Sequence, residues 1–163
     1  MRRCAPLLIV AILAAAPVCA AEPEALQSSP QGCVDTRSNP AQKQAAADHV
    51  LGVMMGPVPG AAPMPTTEPL GFGDDLFPIA QQNIFGNLWA RCGLSRRDRS
   101  LVTLGVLIAL RAENELRYHF PIALRNGLTR RELEEVVYQA GGYAGFPAAA
   151  SASRVAGQVL PRK

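Results

Sequence analysis

Residues 113–147 read ENELRYHFPIALRNGLTRRELEEVVYQAGGYAGFP, and the punctuation of this stretch decides the fold. Leu116, Phe120 and Leu124 recur at fours, which predicts a helix from about Glu113 to Arg125. Gly127 can end it. Thr129 and Glu132 then form a capping box that opens the next helix, whose apolar face is Leu133, Val136, Val137 and Ala140. The run from Gly141 to Pro147 reads as its break. Pro121 lies inside the first helix; its ring removes a backbone donor and crowds the carbonyl of Arg117, so a kink is expected beside His119.

The same punctuation extends in both directions. Ser95 precedes Asp98 by three, an approximate capping box for a helix from Arg96 to about Ala112. Past its first turn that helix is apolar nearly all round, from Leu101 to Leu110. Such a helix is buried on several sides, and in so small a domain this favours a subunit interface as well as the core. Upstream, Asp74 and Asp75 can open a helix through Phe77, Ile84 and Leu88 to Arg91, closed by Gly93 in a left-handed cap. A short helix is expected over 41–55, and a last one over 148–160, built on Ala, Ser and Gly that permit close contacts. No alternating apolar and polar run suggests a strand. The expected class is all-α.

The N-terminus has the pattern of an export signal. Arg2 and Arg3 precede an apolar run from Ala5 to Ala16, and Val18-Cys19-Ala20 or Cys19-Ala20-Ala21 offers small residues for cleavage. The run is too short for a comfortable membrane span. The expected organisation is a signal peptide over 1–21, an irregular extension with one short helix over 22–70, and a helical domain over 71–163. Residues 22–40 are polar and small, and 56–69 holds five prolines and two glycines. A periplasmic or secreted location follows, with no stable membrane span once the signal is removed.

Signal removal takes two of the sixteen basic residues and none of the thirteen acidic ones, leaving a balance of +1. That argues against a nucleic-acid partner, which needs a strong basic excess. Two cysteines remain, Cys33 and Cys92. An oxidising compartment permits a disulfide between them, tying the tail to the folded domain, but spacing alone does not decide it. His49 has no Cys, His or carboxylate cluster beside it, so no metal site is expected.

Glu115 and His119 stand four apart, hence on one face of a helix and within reach of each other. A carboxylate holding an imidazole is a recurring pair in proton transfer. The plain alternative is an i,i+4 surface pair worth a few tenths of a kcal/mol. Arg96, Arg97 and Arg99 oppose the macrodipole in a first turn, which suggests partners for some of them.

Residues from about Asn83 to Val159 resemble the carboxymuconolactone decarboxylase family, the group that also contains the alkyl hydroperoxidase D-like proteins. The matching text is Phe85-Gly86-Asn87-Leu88-Trp89, Leu94 with Arg99, Glu115-Leu116-Arg117 with His119, Ala123-Leu124-Arg125-Asn126-Gly127-Leu128-Thr129, Glu132, Glu135 and Tyr143-Ala144-Gly145-Phe146-Pro147-Ala148-Ala149. The resemblance implies a helical bundle of the alkyl hydroperoxidase D-like type that assembles as a homo-oligomer, commonly a trimer or hexamer. It implies a cofactor-free lyase acting on a small carboxylated lactone or related acid. His119 would be the general acid, and Glu115 would orient it and raise its pKa. Arg99, or alternatively Arg97, would grip a substrate carboxylate, with Trp89 or Tyr143 lining the pocket. Two departures stand out. The redox branch has a Cys-x-x-Cys pair where this chain has Ala112 and Glu115, so a dithiol peroxidase mechanism lacks its thiols. Many relatives also carry an acidic residue after the arginine, where this chain has Ser100. A non-catalytic oligomer of the same fold is the other functional class, because fold does not fix function.

Overall fold

The computed structural model describes residues 33–35, 38–57, 59–60 and 72–161. The expected signal peptide lies outside them. The described elements are α1 (Pro40–Met54), α2 (Leu76–Ala80) continuing as a π-helix (Gln81–Trp89), α3 (Arg96–Ala109), α4 (Glu113–Arg125), α5 (Arg130–Ala144) and α6 (Phe146–Val159). One isolated parallel bridge, Val34 to Arg91, is the extended pairing among the described residues.

The main core lies between α3, α4, α5 and α6. Leu104 and Ile108 of α3 meet Leu116, Phe120 and Ala123 of α4, Leu133 and Val137 of α5, and Ala148, Ala152 and Val155 of α6. The small residues of α6 let it lie close to α5: a Cβ on the buried Gly141 would stand 3.5 Å from the Ala149 methyl. A second cluster joins Val50 and Met54 of α1 to Trp89, Ala90 and Ile122 of α4. Gly86 lies under α1, where a Cβ would come to 3.1 Å from the Lys43 carbonyl. The Arg125 guanidinium donates from Nη1 to the Met54 carbonyl at 2.6 Å, fastening the end of α1 to the end of α4.

The caps explain the element boundaries. Ser95 accepts from the Asp98 amide to open α3, and Thr129 with Glu132 forms the reciprocal box that opens α5. Helix α4 ends in a Schellman motif: Gly127 has φ +94°, its amide reaches the Leu124 carbonyl at 3.0 Å, and the Leu128 amide reaches that of Ala123 at 3.0 Å.

The structure differs from the sequence expectation at three helix ends. Helix α3 stops at Ala109, short of Ala112, because Arg111 takes the left-handed conformation (φ 55°) and closes a second Schellman motif, Arg111 to Ile108 and Ala112 to Leu107. Helix α5 continues through Gly141 and Gly142 to Ala144, and the break falls at Gly145 (φ +88°). Packing of Gly141 on Ala149 outweighs the low helix propensity of the glycine pair. Gly93 is not left-handed. The helix before it ends at Trp89, and the chain leaves through Ala90–Cys92 to pair with Val34. Pro121 is fully buried inside an α4 that continues past it.

Cys33 and Cys92 are joined in a disulfide, with their Cα atoms 5.1 Å apart. The sequence left this pairing open; the structure brings the two residues together through the Val34 bridge.

Candidate functional site

Helix α3 presents three faces, and they sort the arginines. Ser100, Leu104 and Ile108 point into the core. Arg97, Leu101, Gly105 and Ala109 face α5. Arg99, Val102 and Thr103 face outward beside the end of the π-helix. Positions 97 and 99 are about 200° apart around a helix, so the two arginines cannot serve one pocket.

Arg97 lies in a groove of about 650 Å³ between α3 and α5, whose lining includes Glu132, Glu135, Gln139 and Tyr143. It is already partnered, forming a short ion pair with Glu132 and a longer one with Asp98 at 3.5 Å. The Glu132 carboxyl is held below the usual carboxylate range chiefly by the Thr129 backbone and hydroxyl hydrogen bonds, with Arg97 adding to them. Tyr143 is 88% exposed at the rim of this groove.

Arg99 lies elsewhere. It lines a hollow of about 170 Å³ with Leu88, Trp89, Leu94, Val102 and Thr103. Its Nη2 donates to the Arg91 carbonyl at 2.9 Å, its Nε is buried without a partner, and no carboxylate among the described residues pairs with it. Partial burial and then the nearby Arg91 cation pull its pKa below the ordinary guanidinium value. A cation in that state, on a half-enclosed apolar wall, is set up to receive an anion.

Trp89 is 7% exposed and joins this hollow to the histidine. Its indole stacks on the His119 imidazole with centroids 6.3 Å apart and planes 18° from parallel. Arg99, Trp89 and His119 therefore form one neighbourhood, with Trp89 between the hollow and the ring. Glu115 is one turn earlier on α4 and exposed, and no hydrogen bond joins it to His119 among the described residues. The expectation that Glu115 raises the His119 pKa is corrected: burial pushes the imidazole down to about 4, because desolvation of the charged ring dominates and no carboxylate offsets it.

The profile of the carboxymuconolactone decarboxylase family matches residues 76–158. The chain belongs to this family. It is 41% identical over 89 residues to the 4-carboxymuconolactone decarboxylase of Acinetobacter baylyi, covering 55% of this chain and 66% of that one. It is 44% identical over 63 residues to the nitrosuccinic acid decarboxylase of Metarhizium robertsii, covering 39% and 44%. The chain thus spans between about two fifths and just under two thirds of these relatives.

In this carboxymuconolactone decarboxylase family chain, Ser100 has a visible structural role. It is buried and accepts from the Asn126 amide nitrogen at 3.0 Å, tying α3 to the turn after α4. The residues that sequence reasoning missed are Leu88, Leu94, Val102 and Thr103 around Arg99. Thr103 was accessible in principle, being one turn from Arg99 on the same face. The Arg97–Glu132 pair carried no local signal, since its partners are 35 positions apart.

Proposed function

We propose that this protein is an exported, cofactor-free carboxy-lyase acting on a small carboxylated lactone or a related dicarboxylic acid, in the periplasm or outside the cell. The single observation that carries the reading is the Arg99 guanidinium, without a carboxylate partner among the described residues, on the wall of a hollow also lined by Trp89, whose indole stacks on His119. The names of both relatives point to acids in which a carboxylate lies near an electron-withdrawing group, a lactone carbonyl in one and a nitro group in the other. In such acids the C–CO₂⁻ bond breaks, the electron pair passes into that group, carbon dioxide leaves and a proton is returned to the substrate. The protein has to grip a carboxylate, stabilise the developing charge and deliver the proton.

Arg99 takes the first role and Trp89 forms the wall. His119 takes the third. Burial favours the neutral ring in the free protein, and a dianion in the hollow across Trp89 favours the imidazolium, so substrate and proton bind together; proton delivery then needs Trp89 to give way. Glu115 is kept in the proposal as an exposed carboxylate one turn from the ring, able to orient it once a partner subunit covers this face. Assembly as a trimer or hexamer is part of the same reading. Val102, Val106 and Leu110 of α3 are 60%, 51% and 71% exposed, an apolar strip that an oligomer would cover. Arg97 and Tyr143, on the other groove, are assigned no part in substrate binding.

The test is carbon dioxide release by the purified protein from 4-carboxymuconolactone and nitrosuccinate. Turnover that falls by about two orders of magnitude in kcat/KM for Arg99→Ala, with partial recovery in Arg99→Lys, supports the reading. A second reading, a non-catalytic oligomer of the same fold, is favoured by the exposed, unbonded Glu115 and by the position of His119 behind Trp89. It gains if neither acid is turned over, or if Arg99→Ala works at the parent rate.

A further inference from the structure

The Cys33–Cys92 disulfide joins residues 59 positions apart and fixes residues 90–92, which lie in sequence between Trp89 and Leu94, two residues that line the Arg99 hollow. The Val34 amide donates to the Ala90 carbonyl at 2.8 Å, and the Cys92 amide donates to the Val34 carbonyl at 3.2 Å. Residues 90–92 are thus held from outside by the crosslinked segment. Trp89 immediately precedes them. The Arg91 carbonyl, in their middle, accepts from Arg99 Nη2, the one hydrogen bond of that guanidinium among the described residues. The direction in which the cation points therefore depends on a carbonyl whose place is set by the crosslink.

We propose that the Cys33–Cys92 crosslink is a positioning clamp for the Trp89–Arg99 hollow, and that its reduction by a dithiol weakens the hollow's hold on small dicarboxylates. The proposal rests on the lyase reading only for what Arg99 grips. The redox step balances: the S–S bond breaks, Cys33 and Cys92 each gain one electron and one proton to become thiols, and the dithiol loses two electrons and two protons to become a disulfide. Without the crosslink, the two Val34 main-chain hydrogen bonds and the buried Val34 side chain remain among the contacts that hold the segment, and an isolated bridge of that kind opens more readily than a crosslinked one. Arg99 then loses its fixed acceptor and Trp89 its anchored exit. Cys92 is exposed and Cys33 half-buried, so a reductant in solution can approach.

A crosslink that serves only as a staple would change stability and leave binding by the folded protein unaltered. The experiment separates the two on the full chain, oxidised, or reduced with a dithiol and capped with iodoacetamide, and in Cys33→Ala/Cys92→Ala. Succinate binding is followed through Trp89, the single tryptophan of the chain, with acrylamide quenching and far-ultraviolet circular dichroism alongside. The expected result is a dissociation constant raised about tenfold and a more quenchable Trp89, with helix content unchanged. Val34→Pro keeps the crosslink but removes the amide bonded to Ala90; it is expected to raise the constant about threefold, and it decides the matter if the cysteine variant does not fold. Equal affinity and equal quenching in oxidised and reduced folded protein overturn the proposal, as does failure of the oxidised protein to bind succinate. If the oxidised protein binds succinate but decarboxylates neither 4-carboxymuconolactone nor nitrosuccinate, the lyase reading fails and the clamp is judged on binding alone.

Discussion

Acid should weaken this fold through His119. Burial holds the ring neutral, with its pKa pushed from 6.5 to about 4, while in the unfolded chain it titrates near its ordinary value. Between those two values the unfolded chain binds more protons than the folded one, so stability rises with pH. The His119 contribution is complete above about pH 6.5 and is lost progressively as pH falls toward 4. At about 1.4 kcal/mol per pH unit the interval amounts to about 3 kcal/mol, a large share of the stability of a small domain. The assay is urea unfolding of the disulfide-intact protein, followed by Trp89 fluorescence at several values between about pH 7.5 and 4. Carboxylates also titrate in that range, so the quantity read is the difference between the parent and His119→Gln. The parent should lose about 3 kcal/mol more than the variant over the range. Parallel profiles refute the reasoning. If Glu115 instead held the ring charged, the His119 pKa would stand above 6.5 and its contribution would be lost as pH rises, so the sign of the difference also separates the two electrostatic pictures.

The two Schellman turns make a paired test: Arg111→Gly should stabilise by about 1 kcal/mol and Gly127→Ala should destabilise by a similar amount, because both positions are left-handed and only one carries glycine; equal signs in urea unfolding would contradict this. Gly86→Ala should cost about 1–3 kcal/mol by pushing a methyl onto the Lys43 carbonyl, and an unchanged midpoint would show that α1 shifts freely. Val106→Arg with Leu110→Arg should leave the helix content intact and reduce the particle to one chain by light scattering; a parent protein that is already monomeric removes the oligomer proposal.

Much of the helical order was legible because it is written in caps, which are local. Thr129 with Glu132, Ser95 before Asp98, and Gly127 each mark a boundary the structure keeps. The missed boundaries depend on partners that are remote in sequence. Gly141 and Gly142 look like a break until α6 supplies Ala149 as a packing surface. Gly93 looks like a cap until Val34 draws the chain out three residues earlier. Arg111 ends α3 in a conformation usually left to glycine, so composition pointed past it. The disulfide stayed open for the same reason, since its halves are 59 positions apart. At the site, the resemblance gathered Glu115, His119, Arg99, Arg97, Trp89 and Tyr143; the fold sets Arg97 and Tyr143 on one groove and Arg99 with Trp89 on another, a division the sequence did not show. Periodicity correctly put Glu115 and His119 on one face of α4, but the direction of the histidine's pKa depends on burial, which spacing does not report.

The contrast between Arg97 and Arg99 shows how one helix separates structural charge from available charge. Both arginines lie in the first turn of α3, where the helix dipole disfavours cations, so each needs compensation. Arg97 points toward α5 and finds it in Glu132, a residue the Thr129 cap has already fixed in place and held ionised. The same carboxylate therefore closes a helix end and neutralises an arginine, which leaves Arg97 little to offer a ligand. Arg99 makes no ion pair with an acidic side chain among the described residues, and its neighbours in the hollow are apolar apart from Thr103. Among the described residues its one hydrogen bond is to the Arg91 carbonyl, a dipole that orients the guanidinium without neutralising it. An ion pair there would improve stability and block the hollow. The uncompensated cation is a cost to the folded chain that an arriving carboxylate would relieve, which is why the proposed function gives the anion to Arg99 and not to Arg97.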